Sequence, residues 1–170
     1  MLSKVIVYAT LLATSALGAA LPAVEAAEKR GIDVRGAIPS DATAIPGGFT
    51  FEFGSEASAW VHAQIALGES SANIGIGMFT VKECGDGRGA WFENVQYGAR
   101  NTDVLPYRYW SVGIAGRALK SNEKLAFSQK GRGANNIADY CATPISAAAP
   151  GAGVGCFNVQ DINCFQLSRA

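Results

Sequence analysis

Short apolar segments separated by glycine-rich turns limit the fold of this chain more than any other feature. The 170-residue sequence contains 20 glycines, and glycine is favoured in turns and bulges but disfavoured inside helices. Residues 49–53 alternate strictly, with three phenylalanines on one face and Thr50 and Glu52 on the other. This period of two predicts a half-buried strand.

Residues 60–67 follow the same period. Val61, Ala63, Ile65 and Leu67 share one face, opposite Trp60, His62 and Gln64, so we expect a second strand here. Residues 54–59 connect the two strands, although Ser55 or Ser58 could instead cap a short helix in this connector.

The rest of the chain repeats this layout. Further strands are predicted at residues 74–82, 90–97, 107–119 and 125–129, with turns at 85–89, 101–103, 120–122 and 131–136. Residues 31–48 and 142–155 read as extended connections. Regular short strands without a long amphipathic segment indicate an all-β, single-domain antiparallel β-sandwich or barrel with about 6–8 short strands.

The N-terminus has the order of a secretory signal. Lys4 precedes an apolar stretch at residues 5–20, which ends in small residues and is shorter than the roughly 20 residues that span a bilayer. Cleavage after Ala19, Ala20 or Ala26 is compatible with the sequence. We expect residues 1–20 to be a signal peptide and the protein to be secreted and extracellular.

A dibasic pair, Lys29 and Arg30, follows shortly after this signal. Such a pair is typical of a processing site for a late-secretory endoprotease, and an ordinary solvated charge pair is the alternative. The sequence thus predicts a short pro-segment at residues 21–30 and one secreted β domain at residues 31–170.

All four cysteines lie in the predicted mature part, at Cys84, Cys141, Cys156 and Cys164. An even number in a secreted chain predicts two disulfides, for which three connectivities exist. We favour Cys84–Cys141 and Cys156–Cys164, the second across a hairpin. A zinc site is the alternative, but no two cysteines are closely spaced and the chain has one histidine, so neither a metal nor a cofactor is expected.

Charge excludes two classes of partner. Fourteen basic residues balance 14 acidic ones, and the predicted mature part is nearly neutral as well. Neutralising phosphates or an anionic membrane surface requires a basic excess. We therefore expect no nucleic acid and no membrane among the partners of the mature form.

His62, the single histidine, is the strongest candidate for catalysis. A hairpin between residues 49–53 and 60–67 would place Glu52 beside Trp60 and His62. This arrangement suits general acid–base chemistry in a small hydrolase or ribonuclease. An exposed polar face of a sheet explains the same residues, and no nucleophile or second base accompanies them. A non-enzymatic protein is the favoured interpretation, although the sequence leaves the question open.

Aromatic residues supply the candidate binding surface. Alternation in residues 107–114 places Arg108, Trp110, Val112 and Ile114 on one face and Tyr107 and Tyr109 on the other. We expect Trp110 in the core and the two tyrosines on a wetter face, where they could stack on a sugar ring or a partner protein. Trp60 is a further binding candidate.

The layout resembles that of small secreted cysteine-containing proteins of filamentous fungi, many of which are candidate effectors. The resemblance rests on the signal-like start, the short segment ending in Lys29 and Arg30, and the neutral four-cysteine domain. It implies a non-enzymatic protein that acts outside the cell by binding a host protein or a cell-wall glycan. No functional residue is carried over from it.

Overall fold

Two antiparallel sheets and two helices make up the described part of the protein. The computed structural model describes residues 23–96, 98, 105, 107–129 and 145–170. Residues 23–29 are helical and are called α1; α2 is Glu56–Ala66. The nine strands found in these ranges are β1 (Thr43–Ile45), β2 (Gly48–Phe51), β3 (Ile74–Phe79), β4 (Gly89–Val95), β5 (Tyr109–Ala115), β6 (Glu123–Ser128), β7 (Ser146–Ala148), β8 (Gly155–Ile162) and β9 (Cys164–Arg169).

Six strands form the larger sheet, in the order β1-β2-β4-β3-β5-β8, and three form the smaller one, in the order β7-β6-β9. Every pairing is antiparallel. The chain is therefore mostly β, as the sequence predicts, but the sheets are open rather than closed into a barrel.

The main core lies between the two sheets. Ile76, Met78 and Ile114 from the larger sheet belong to the same buried cluster as Leu125 and Leu167 from the smaller one. An edge-to-face contact between Phe92 and Phe165, with ring centroids 4.9 Å apart, joins the two layers. Because each sheet buries one face here, the two sheets stabilise each other.

A second core lies on the other face of the larger sheet, under α2. Phe49, Trp91 and Phe79 from the sheet pack there against the α2 residues Trp60 and Val61. A Cβ atom on Gly113 would lie 2.2 Å from Cδ1 of Ile65. Glycine on this face of the sheet therefore lets α2 approach closely.

The helix α2 replaces the strand predicted at residues 60–67, so that prediction is wrong. Ser55 caps the helix: its hydroxyl accepts a hydrogen bond from Ser58 N at 2.9 Å. Asp41 accepts two more, from Glu56 N at 2.7 Å and Ala57 N at 3.0 Å. These bonds satisfy backbone N–H groups that a helix leaves free in its first turn. The short helix that the sequence allowed as an alternative in the connector at residues 54–59 is confirmed, and it continues through most of the segment predicted as a strand.

The face assignment in β5 is also wrong. Tyr109 is fully buried and belongs to the same core cluster as Val112 and Ile114, whereas Trp110 is 40% exposed. The pairing of β5 with β8 shifts register between Tyr109 and Ser111. Such an irregularity changes which residues share a face. Strict alternation would place Tyr109 on the face opposite Val112, whereas the shift brings Tyr109 to the same core as Val112.

The disulfide connectivity differs from both predicted pairs. Cys84 is bonded to Cys156, with Cα atoms 5.9 Å apart. The hairpin predicted around Cys156 and Cys164 does not form, because β8 pairs with β5 in one sheet and β9 pairs with β6 in the other. One disulfide, rather than two, is seen in the described ranges, and no described cysteine is free. Cys141 lies outside the described residues.

The other predicted strands are confirmed, although their bounds differ from the predicted ones. Strands β2, β3, β4, β5 and β6 correspond, in this order, to the segments predicted at 49–53, 74–82, 90–97, 107–119 and 125–129. Phe53 lies beyond the end of β2 and is 66% exposed, so only two of the three phenylalanines enter the core. The signal peptide at 1–20 and the turns at 101–103 and 131–136 lie outside the described residues. No described helix is long and apolar enough to span a membrane.

Candidate ligand-binding cavity

A cavity of about 200 Å³ opens between α2, the loop at residues 68–73 and strands β3 and β4. Two tryptophans, Trp60 from α2 and Trp91 from β4, line it. We call it the two-tryptophan cavity. Pockets for drug-sized ligands hold about 300–1,000 Å³, so this cavity suits a unit the size of a single sugar ring.

The two indoles are held rigidly. Their centroids are 5.8 Å apart with the rings perpendicular, and both side chains are almost entirely buried. A Cβ atom on Gly75 would lie 2.4 Å from the Trp91 ring, so glycine is needed for Trp91 to pack across β3. Nε1 of Trp60 is buried and has no hydrogen-bond partner among the described residues, so this donor is left unsatisfied.

Polar side chains form the outer wall. Nδ2 of Asn73 donates to Oδ1 of Asn94 at 2.7 Å, and the hydroxyl of Ser71 both donates to Asn73 O at 3.0 Å and accepts from Asn73 N at 3.2 Å. Asn94 has a φ of 50°, a left-handed conformation that asparagine tolerates better than most residues. Nε1 of Trp91 points to Oε1 of Glu93 at 3.4 Å.

The loop that carries Ser71 and Asn73 is anchored to the end of β5. Ser70 N and Ser71 N both donate to Gly116 O, at 2.8 and 2.9 Å. Gly116 has a φ of 82°, and a Cβ there would lie 2.2 Å from Asn73 O. Only glycine combines this conformation with this close approach.

A partly buried ion pair between Arg117 and Glu123 holds the same loop on the side away from the cavity. Arg117 donates to both carboxylate oxygens of Glu123, at 2.8 and 3.1 Å, and its Nε donates to Ala72 O at 3.1 Å. The guanidinium of Arg117 holds the pKa of Glu123 below its ordinary value, and the Lys120 N–H assists. The bidentate geometry fixes Arg117, so its bond to Ala72 fixes the loop.

The charged and polar side chains of the cavity favour one class of ligand over another. Glu93 is its one ionisable side chain among the described lining residues, and amide and hydroxyl groups make up the other polar groups. A carboxylate without a cationic partner in the wall repels anions such as phosphate. Amide, hydroxyl and carboxylate groups beside indole rings form hydrogen bonds with a neutral, hydroxyl-rich ligand.

The structure brings Glu52 together with Tyr107 rather than with His62. Glu52 forms an ion pair with Arg88 at 2.7 Å and accepts a hydrogen bond from the Tyr107 hydroxyl at 3.3 Å. The Arg88 guanidinium also lies over the Tyr107 ring, 5.4 Å from its centroid. These side chains form an open surface cluster, and no concave site is described there.

His62 lies on α2, away from this cluster, with both ring nitrogens beside backbone carbonyls. Nδ1 is 2.7 Å from Ser58 O, and Nε2 is 2.9 Å from Cys84 O. No hydrogen bond or ion pair joins His62 to Glu52 in the part of the chain that the structure describes. His62 therefore ties α2 to the turn that carries the disulfide.

The other predicted site residues are divided between core and cavity. Tyr109 does not reach a wet face, and burial in the core raises its pKa. Trp60 lines the two-tryptophan cavity. Sequence reasoning missed Ser71, Asn73 and Asn94, whose only signal is the polar stretch before β3 and an asparagine near the end of β4.

Neither a metal site nor a known relative identifies the cavity. No group of three or more potential metal-ligating side chains occurs in the residues with described positions. The sequence matches no protein-family model, no curated protein and no solved structure.

Proposed function

We propose that this protein is a non-enzymatic binding protein that holds one sugar unit of a neutral glycan in the two-tryptophan cavity. The observation that carries the proposal is the meeting of two rigid indoles with the amides of Asn73 and Asn94 and the carboxylate of Glu93 around a space of about 200 Å³. Neutral sugars are recognised by this combination of apolar rings and convergent polar groups.

The proposed location of this activity is extracellular. The signal-like N-terminus and the disulfide are typical of secreted proteins, and a polysaccharide of a cell wall is a partner available there. Of the two partner classes that the sequence suggests, a host protein or a cell-wall glycan, the small concave cavity with its amide, hydroxyl and carboxylate groups favours the glycan. A host protein would need a larger exposed surface.

The alternative, a small hydrolase or ribonuclease, receives no support from the geometry. Glu52 is engaged by Arg88 and Tyr107, and His62 faces two backbone carbonyls. Acid–base catalysis requires both groups within reach of one substrate, and neither one lines the two-tryptophan cavity.

Tryptophan fluorescence tests the glycan proposal directly. The chain has three tryptophans, and Trp110→Phe removes the exposed one, so that emission reports only the two in the cavity. We expect a saturable emission change on titration with neutral oligosaccharides of glucan, xylan or chitin type. Asn73→Ala and Glu93→Ala should each weaken binding about 5- to 10-fold, because each removes a hydrogen-bonding group.

Tyr107→Phe is the matched control, since it alters an aromatic residue of the surface cluster and leaves the cavity intact. It should bind like the parent. A set of titrations without any saturable change, or equal affinities for the parent and the two cavity variants, would remove the glycan proposal.

A further inference from the structure

The described part of the predicted pro-segment, residues 23–30, is an integral part of the folded molecule. Ala27 of α1 is 1% exposed and belongs to the core beneath α2, together with Val61 and Cys84. Val24 packs against the same cluster. The segment ending in Lys29 and Arg30 therefore covers apolar surface that belongs to the rest of the domain.

The covered surface is a groove beside α2 and the disulfide. Two cavities, of about 340 and 410 Å³, flank α1, and Ala23, His62 and Cys84 line both of them. Ser58 borders one cavity and Cys156 the other. We call this surface, from Ser58 across His62 to the Cys84–Cys156 disulfide, the α1 groove.

Among the described residues, apolar packing holds α1 in this groove. Its ion pair, between Lys29 and Glu25, lies within the helix itself, and the described hydrogen bonds of residues 23–30 stay within the segment or reach only Gly31 and Ile32. A helix of seven described residues is unstable in water by itself. Its position thus depends on the peptide connection to the domain.

That connection passes through the dibasic pair. Gly31 N donates to Glu28 O at 2.9 Å and Ile32 N donates to Ala27 O at 3.1 Å, and Gly31 has a φ of 77°. This is the Schellman arrangement that ends many helices. The Arg30–Gly31 peptide bond lies inside it, so cleavage after Arg30 would sever both the chain and the cap, with Lys29 and Arg30 exposed to a protease.

We propose that α1 is a removable cover: it occupies the α1 groove as a tethered ligand, and cleavage after Arg30 releases it and uncovers the apolar surface beside the disulfide. The proposal rests on cleavage at the dibasic pair and is independent of glycan binding, because none of the α1 residues lines the two-tryptophan cavity.

The test is limited digestion of the folded full chain with a protease specific for dibasic sites. Native mass spectrometry follows the N-terminal fragment, and the fluorescence of an added apolar dye follows uncovered surface. We expect the fragment to dissociate and dye fluorescence to rise several-fold. Amide hydrogen exchange should become at least about 10-fold faster in the first turn of α2 and at Lys82–Cys84, because local stability falls there. Lys29→Ala/Arg30→Ala, which the protease cannot cut, should show none of these changes.

A second variant tests whether displacement of α1 uncovers the groove when the chain is not cut by the protease. Ala27→Glu places a carboxylate in the core position of α1 and should displace the helix from the uncut chain, with the same rise in dye fluorescence. Far-UV circular dichroism and the intact disulfide would verify that the sheets remain folded. Retention of the cleaved fragment by the domain, or its loss without a change in dye binding or amide exchange, would overturn the proposal.

Discussion

Removal of the Cys84–Cys156 disulfide is expected to cost a large share of the stability of a domain of this size. The bond joins residues 72 positions apart. In the loop-entropy treatment, a loop of this length restricts the unfolded chain by about 4.4 kcal/mol at 25 °C. Typical domains have only about 5–15 kcal/mol in total.

The double variant Cys84→Ala/Cys156→Ala measures this contribution by urea unfolding. With a denaturant slope of about 2 kcal/mol per molar, the midpoint should fall by about 2 M. The variant also distinguishes the connectivities, because the remaining cysteines are Cys141 and Cys164. We expect those two to pair with each other, so that the variant titrates with no free thiol.

The pairing Cys84–Cys141 with Cys156–Cys164 predicts a different result. The same double variant would then lose both bonds, expose two thiols and lose about 6.7 kcal/mol, of which about 4.2 comes from the Cys84–Cys141 loop and about 2.5 from the short Cys156–Cys164 loop. The matched variant Cys141→Ala/Cys164→Ala should keep the Cys84–Cys156 bond in peptide maps. Two reactive thiols in the first variant, or a stability loss below about 1 kcal/mol, would refute the reasoning.

Two further predictions concern the Arg117–Glu123 ion pair, which holds the cavity loop, and the packing of α2 on the larger sheet. Glu123→Gln should destabilise the protein by about 1–3 kcal/mol at pH 7, because it breaks a partly buried, bidentate ion pair with Arg117. The lowered pKa of Glu123 means that its contribution is present above the ordinary glutamate value of about 4.3 and is lost as the pH falls through the lowered value. Unfolding curves of the wild type and the variant should therefore converge in acid, and a constant difference down to about pH 2 would contradict this. Gly113→Ala should cost about 1–3 kcal/mol, because its Cβ would lie 2.2 Å from Ile65 and overpack the interface; thermal unfolding measures it, and Gly113→Ala/Ile65→Val should recover part of the loss.

Local pattern determined much of the β structure. Alternating apolar residues bounded by glycine-rich turns placed β2 to β6 within a few residues of their observed positions. These signals are local because side chains on a strand alternate between faces and because turns need particular backbone conformations. Residues 60–67 are the exception. Their alternation is real, but the caps provided by Ser55 and Asp41 favour a helix, and Asp41 is too far along the chain for a local pattern to reveal it.

The candidate site likewise combines residues that the sequence singled out with an arrangement that only the folded structure revealed. Trp60 and Glu93 were visible as an aromatic and an acidic residue, yet nothing in the sequence indicated that they share a cavity with Asn73 and Asn94. The pairing of Glu52 with His62 failed because it depended on a hairpin that α2 replaces. Tyr109 and Trp110 exchanged faces because one register irregularity in β5 inverts the alternation.

The sequence by itself thus determined the class of structure: short strands, glycine turns and a nearly neutral chain with a signal-like start. Only the tertiary structure decided which strands share a sheet, which cysteines meet, and that the segment before Arg30 packs into the core through Ala27. The physical reason is the distance along the chain over which each kind of signal acts. Periodicity and turn chemistry act over a few residues, whereas a disulfide across 72 positions, a cavity built from four elements and a covering helix depend on contacts that form only when the whole chain has folded.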